Sequence, residues 1–253
     1  MIVAVNLARW KVIVRGLGNV PRRSGAVLAF NHHSYVDFLL LSWPIVRRLR
    51  RPVRFLAKRE IWSSRWTGWA VRWAGAVPVD RESAAARSGA FDATIRSLAA
   101  GDLVAIAPEQ TISPSLELLP FRTGAVRAAQ QAGVPVIPAV GWGSQRFATK
   151  GGGRRLVTSI PVVVRFGEPI WVGPDDDPAE VTARLQQVMT ALLHEEQEHY
   201  PDGAPADAPW VPARLGGGAP PHAEVLAEHR RRAEQWERRV HGSEGDQPGA
   251  AAS

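Results

Sequence analysis

Residues 30–41, FNHHSYVDFLLL, carry two imidazoles and a carboxylate in an otherwise apolar run. A run that buries itself has little reason to hold three titratable groups. Three chemistries fit them. His32, His33 and Asp37 offer metal ligands, although adjacent histidines usually point apart and no fourth ligand stands nearby. Ser34 and Asp37 have the S-x-x-D form of a capping box ahead of an apolar helix. His32 and Asp37 can also form a His–Asp dyad. A turn over Asn31–His33 brings Asp37 back toward His32, and the carboxylate accepts from one ring nitrogen. That fixes the tautomer and leaves the other nitrogen as a general base. No serine or cysteine elbow accompanies the dyad, so the base would act on a substrate hydroxyl. Spacing alone leaves the three readings open.

The elements around this run decide where it sits. AVLAF (26–30) is short, apolar and β-capable, and so are VRFLA (53–57), GAVPV (75–79), LVAIAP (103–108), VPVIPAVGW (134–142) and PVVVRFGEPI (161–170). Helical stretches are expected between them, near 35–49, 60–74, 84–99, 122–132 and 178–198. Such alternation predicts an α/β fold, a mostly parallel sheet flanked by helices. In sheets of this kind ligands sit beyond the carboxyl ends of the strands. Asn31, His32 and His33 follow one strand, and Pro108 and Glu109 follow another.

The chain has 253 residues and is 45% hydrophobic, enough for an α/β domain over about 1–200 with an extension over 201–253. The extension opens with PDGAPADAPWVPARLGGGAPP, too rich in Pro, Gly and Ala for regular structure. A charged helix is expected near 222–240, then a disordered end. With no cysteine, disulfides and Cys-ligated metals are excluded. The net charge of +7 favours an anionic partner such as nucleic acid, anionic lipid or a phosphorylated substrate. Nucleic acid fits poorly, because no stacking motif or groove-reading module is present. No run reaches the roughly 18 apolar residues of a membrane span, and the first residues lack a signal-peptide layout.

Two stretches point to a membrane surface. Trp62, Trp66, Trp69 and Trp73 fall within an arc of about 60° on one helix face, flanked by Arg65 and Arg72. A core-facing stripe gives the same spacing, but indoles favour the headgroup zone and arginines its anionic side. In the N-terminal segment 1–19, Val3, Leu7, Trp10, Val14 and Leu17 repeat the theme beside Arg9, Lys11 and Arg15, which predicts an amphipathic helix.

NHHSYVD resembles the N-H-x-S-x-x-D box of the glycerolipid acyltransferases, the 1-acyl-sn-glycerol-3-phosphate acyltransferase family. The family's H-x-x-x-x-D falls on His32 and Asp37, with His33 in a variable slot. Three more boxes follow in the family's order: GAVPVDR (75–81), ending on Arg81; APEQTIS (107–113), similar to F-P-E-G-T-R-S; and VPVIPAV (134–140). FLAKREIW (55–62) and the run LPFRTGAVRAAQQAGVPVIP also sit as the family has them, so the resemblance covers roughly residues 20–170. In the third box Gln110 stands where the family has glycine, and Ile112 where it has an arginine associated with the acceptor's phosphate. The tail from Trp210, WVPARLGGGAP, is similar to an actinobacterial-type branch.

The resemblance implies an O-acyltransferase. His32 would take the proton from the acceptor hydroxyl and Asp37 would orient the imidazole. Arg81, Lys58 and Arg122 would meet the substrate phosphate, and Asn31, Ser34, Glu109 and Thr111 would bind the acceptor or hold the site. Backbone N–H groups at a helix start would stabilise the oxyanion. No metal or cofactor is implied, only an acyl-CoA or acyl carrier protein donor and a lysophospholipid acceptor, with 1-acyl-glycerol-3-phosphate giving phosphatidic acid. The implied location is peripheral, on the cytoplasmic face of the cell membrane. The alternatives are another lysolipid or glycolipid acceptor, a thioesterase with water as acceptor, and a non-catalytic lipid-binding protein.

Overall fold

A seven-stranded sheet organises the chain. The computed structural model describes residues 11–58, 77–79, 84–149, 153–154 and 159–244. The main strands are β1 (Lys11–Arg15), β2 (Ala26–Phe30), β3 (Val53–Lys58), β4 (Val77–Val79), β5 (Leu103–Ile106), β6 (Val136–Trp142) and β9 (Pro161–Phe166). A small antiparallel pair, β7 (Ala148–Thr149) and β8 (Gly153–Arg154), lies between β6 and β9 in the chain. The order across the sheet is β1-β9-β6-β2-β5-β3-β4. Strands β4, β3, β5, β2 and β6 run parallel; β9 pairs antiparallel with β6, and β1 runs parallel to β9. The sheet is thus mixed and mostly parallel, flanked by helices.

Burial on both faces explains the composition of β2. All five residues of AVLAF are buried. Val27 and Ala29 join one core with Val126, Leu185 and Met189; Ala26, Leu28 and Phe30 join the other with Leu40, Leu41 and Ile45. This period-2 split demands an apolar residue at every position.

The covering helices are α1 (Asp37–Pro44), which runs on through a π turn at Ile45–Leu49, then α2 (Ala84–Ala99), α3 (Gly124–Ala132), α4 (Pro178–Glu198) and α5 (His222–Glu244). Helix α4 starts where Asp177 accepts a 2.9 Å bond from the Ala179 N–H, with Pro178 in the first turn. Helix α3 stops at Gly133, whose φ of 62° suits glycine. The Pro/Gly-rich stretch after residue 200 runs in turns with a single 3-10 turn, Ala213–Leu215, and buries Val211 and Ala219 against the rest of the fold.

One expectation is corrected. Residues 11–15 are not part of an amphipathic helix: KVIVR is an edge strand in register with Pro161–Arg165. Three consecutive β-branched residues favour a strand, and the sheet edge supplies the hydrogen bonds. Val12 and Val14 pack on one core and Ile13 on the other, so apolar positions that fit a helical period also serve a strand buried on two faces. Residues 1–10 and the tryptophan stripe 62–73 lie outside the described residues. Among the described residues no helix is long and apolar enough to cross a membrane.

Candidate active site

Three neighbouring parallel strands deliver the site to one edge. His32 lies two residues past β2, Glu109 three residues past β5, and Ser144 two residues past β6. The carboxyl ends of parallel strands are where an α/β sheet leaves room for a ligand.

Asp37 is the centre of the arrangement. Its carboxylate is 5% exposed and accepts at both oxygens. Oδ2 takes the N–H groups of His33 and Ser34, each at 2.7 Å, and lies 3.3 Å from His32 Nδ1. Oδ1 takes the Ser144 hydroxyl at 2.6 Å. The His32 side chain keeps 29% of its surface exposed. With Nδ1–H directed at the carboxylate, Nε2 carries the lone pair that can accept a proton. Phe30 packs edge-on to the imidazole, ring centroids 6.1 Å apart.

The capping-box reading is met in part. Helix α1 begins at Asp37 itself, and its N-cap residue, Val36, has no side-chain cap. The Asp37 carboxylate does reach back to the Ser34 N–H, as the acidic arm of a box would, while Ser34 Oγ accepts from Val36 N at 3.3 Å. The same carboxylate therefore folds the turn and orients His32. It also engages the His33 and Ser34 amides, which are therefore not free to meet an oxyanion.

His33 points away from His32 into the core. It is fully buried, its Nδ1 is 3.0 Å from Asn31 Nδ2, and its ring stands edge-on to Trp142. Burial pushes its pKa down to about 4, against the pull of Asp37, so the ring is neutral at physiological pH. No group of three or more His, Cys, Asp or Glu side chains among the described residues is arranged to hold a metal ion.

Asn31, Ser34 and Glu109 are each tied into the hydrogen bonds that shape the site. Asn31 makes a reciprocal pair with Gly141 of β6, accepting at 2.7 Å and donating at 3.0 Å, which pins the end of β2 to its neighbour. Glu109, for which acceptor contact and structural pairing were both open, is 2% exposed. Its two oxygens accept the backbone N–H groups of His32 and Leu119, each at 2.8 Å, which is structural pairing. Burial pushes its pKa up to about 8 despite these two donors. Thr111 is half-buried in the following bend.

The two departures in the third box have structural counterparts. Gln110 has φ 60°, the left-handed region that favours glycine and costs a side-chain-bearing residue about 1–2 kcal/mol. Ile112 is 5% exposed and belongs to the core, so an arginine at this position would place a guanidinium in an enclosed apolar setting.

The proposed phosphate ligands are only partly in view. Arg122 is exposed, and its N–H donates to the Pro108 carbonyl at 3.0 Å, which ties it to the turn holding Glu109. Lys58 ends β3 in register with Val79, at the same edge of the sheet as His32. Arg81 lies outside the described residues, as do Trp62, Trp66, Trp69 and Trp73.

Ser144 is the residue that sequence reasoning missed. It comes 107 positions after Asp37, and nothing in GWGSQRF marks it. Thr149 is a second such residue, donating to the His33 carbonyl at 2.7 Å. Ser144→Ala leaves Asp37 Oδ1 without its hydroxyl donor in a buried setting. A hydrogen bond to a charged group contributes about 1.5–3 kcal/mol. The variant is expected to melt at lower temperature and to lose about tenfold in kcat, with both KM values nearly unchanged, read from initial rates and a thermal melt.

Comparison with known proteins places this chain in one class. The acyltransferase family matches residues 11–142, just over half of the chain, and the chain belongs to that family. It is an enzyme of the O-acyltransferase type. The 1-acyl-sn-glycerol-3-phosphate acyltransferase of Bacillus subtilis strain 168 is 32% identical over 152 residues, covering 60% of this chain and 70% of that one. The alpha form of the human 1-acyl-sn-glycerol-3-phosphate acyltransferase is 30% identical over 189 residues. That alignment takes in 73% of this chain and 64% of the human protein. The crystal structure of the 1-acyl-sn-glycerophosphate acyltransferase from Thermotoga maritima superimposes with a TM-score of 0.63, covering 78% of this chain and 76% of that chain. Its identity of 24% makes that likeness one of fold.

Proposed function

We propose that the chain transfers a fatty acyl group from acyl-CoA or acyl carrier protein to the free hydroxyl of a lysophospholipid, with 1-acyl-glycerol-3-phosphate as the acceptor and phosphatidic acid as the product. The observation that carries this reading is the His32–Asp37 pair, with His32 part-exposed at the carboxyl edge of the sheet. The acceptor activity named for the Bacillus subtilis and human relatives supports the choice of acceptor. His32 Nε2 removes the proton from the acceptor hydroxyl while its oxygen attacks the thioester carbonyl. The tetrahedral oxyanion collapses, the C–S bond breaks, and the sulfur takes the proton from His32 and leaves as a thiol, which returns the imidazole to its neutral form. Asp37 keeps the imidazole in the right tautomer and stabilises its charged form. No metal or redox step is needed to balance this sequence.

The protein works as a peripheral enzyme on the cytoplasmic membrane face, held by the Trp62–Trp73 stripe and its arginines. Purified protein, labelled acyl-CoA or acyl carrier protein, and a panel of lysolipids on liposomes test the whole reading. Labelled diacyl product formed only when an acceptor is present is the expected result. Free fatty acid released equally with and without acceptor would instead mean a thioesterase. Liposome binding with no turnover on any acceptor would mean a lipid-binding protein. The burial of Ile112 favours one variation, a lysolipid or glycolipid without a terminal phosphate, and the same panel detects it.

If the acceptor carries a phosphate, other cations must hold it. Arg81 is the first choice, with Arg122 and Lys58 behind it. A charge-assisted hydrogen bond of about 1.5–3 kcal/mol corresponds to about 10- to 150-fold in affinity. Arg81→Ala is expected to raise the acceptor KM about tenfold or more and to leave the acyl-donor KM nearly unchanged. Arg81→Lys should recover only part, because lysine lacks the bidentate fork. An acceptor KM that stays put in Arg81→Ala removes Arg81 from the site.

A further inference from the structure

The segment after α4 grips both arms of the site. On one side, Trp210 stacks on Arg146, 4.2 Å from guanidinium carbon to ring centroid, and its carbonyl accepts from Gln145 Nε2 at 3.3 Å. Tyr200 lies edge-on to Trp210 and accepts from Arg146 at 3.2 Å. Arg146 and Gln145 belong to the 3-10 turn Ser144–Arg146, whose first residue holds Asp37 Oδ1. On the other side, His222 Nδ1 is 2.9 Å from Ser115 Oγ, and Ser115 Oγ is 3.1 Å from Ser113 Oγ. The Ser113 N–H donates to the His32 carbonyl at 3.0 Å. Between these points Arg214 Nε donates to Glu117 at 2.7 Å, fixing the same 113–119 segment that presents Leu119 to Glu109.

We infer that Tyr200–His222 is a strap that positions the His32–Asp37 pair, with Trp210 and His222 as its two positioning residues. Trp210 acts through the 144–146 turn on Asp37. His222 acts through the Ser115–Ser113 chain on the backbone of His32. The strap lies wholly beyond residue 142, where the family match ends. Its own turns are closely packed: a Cβ on Gly217 would fall 2.1 Å from the Val211 carbonyl oxygen, and one on Gly218 would fall 2.5 Å from that of Asp207. Neither Trp210 nor His222 is in hydrogen-bond contact with His32 or Asp37. Loss of either therefore disturbs alignment, and a displacement of about 1 Å at a reacting group can cost about a hundredfold in rate.

The inference rests on the acyl-transfer reading, and the test separates the two. Trp210→Ala, Trp210→Phe, His222→Ala and His222→Asn are made in the full chain, with Arg231→Ala on the exposed face of α5 as control. Rates are measured at a temperature where melting curves show every variant folded. Amide hydrogen exchange is followed at residues 32–34 and 113–119. Each alanine variant is expected to lose about tenfold in kcat with both KM values within about twofold, and to exchange faster at residues 32–34. Phenylalanine should keep the stack on Arg146, and asparagine can keep a polar partner for Ser115, so both should recover most of the rate. Alanine variants that lower the melting temperature while kcat and exchange at 32–34 hold steady would overturn the strap. Wild-type protein that transfers to no acceptor would sink the acyl-transfer reading, and unchanged exchange at 32–34 would then overturn the strap by itself. If Trp210→Ala fails to fold, the half-exposed His222 supplies the decisive pair.

Discussion

His32→Ala is expected to reduce acyl transfer by about 10²–10⁴, the usual contribution of a positioned general base, while the protein stays folded. The geometry supports both halves. The His32 side chain is part-exposed at the sheet edge, so its removal leaves no large internal cavity. The groups that shape the turn are elsewhere: the His33 and Ser34 amides on Asp37, the Ser144 hydroxyl on Asp37, and the His32 amide on Glu109. All survive the substitution. Asp37→Asn keeps the volume but turns one acceptor oxygen into a donor among N–H and O–H groups that already donate. Its rate loss should be smaller than that of His32→Ala, and its loss of stability larger. Steady-state kinetics and circular-dichroism melts on the two variants check the ordering. An active His32→Ala protein would remove the imidazole from the chemistry altogether.

How far the sequence could be read follows from the same turn. The strand before it was legible because β2 is apolar at every position, as a strand buried on both faces must be. His32 and Asp37 were legible because they stand only five positions apart in the chain. The support behind them was not. Ser144 reaches Asp37 across 107 residues, and His222 reaches Ser115 across another 107. Such contacts depend on how β6 and the strap are placed, which no local pattern encodes. Residues 11–15 misled for a related reason: apolar residues on both sides of an edge strand satisfy a helical period over so short a window. For Glu109 the sequence left two roles open, acceptor contact and structural pairing, since the backbone amides that define the structural role carry no signature in the sequence.

That role has the largest consequence for stability. Glu109→Ala strips the partner from two N–H groups, those of His32 and Leu119, in a setting where the side chain is 2% exposed. Each unsatisfied buried donor costs about 1–3 kcal/mol, so the variant should unfold at much lower denaturant, by about 2–6 kcal/mol before the cavity is counted. Activity should fall with it, because His32 loses its backbone anchor. The pH dependence separates this carboxyl from the others. Its folded pKa of about 8 lies above its ordinary value of 4.5. Between those two values the folded state binds more protons than the unfolded state, so this group makes stability fall as pH rises. The slope from one such group is at most about 1.4 kcal/mol per pH unit. Glu109→Gln cannot titrate, and it keeps one acceptor oxygen for two amides. It should therefore be less stable than wild type near pH 5, and its stability should lose the downward slope toward pH 8. Denaturant titrations of wild type and Glu109→Gln at a series of pH values decide the point, and parallel slopes in the two proteins would mean that Glu109 is ionised throughout.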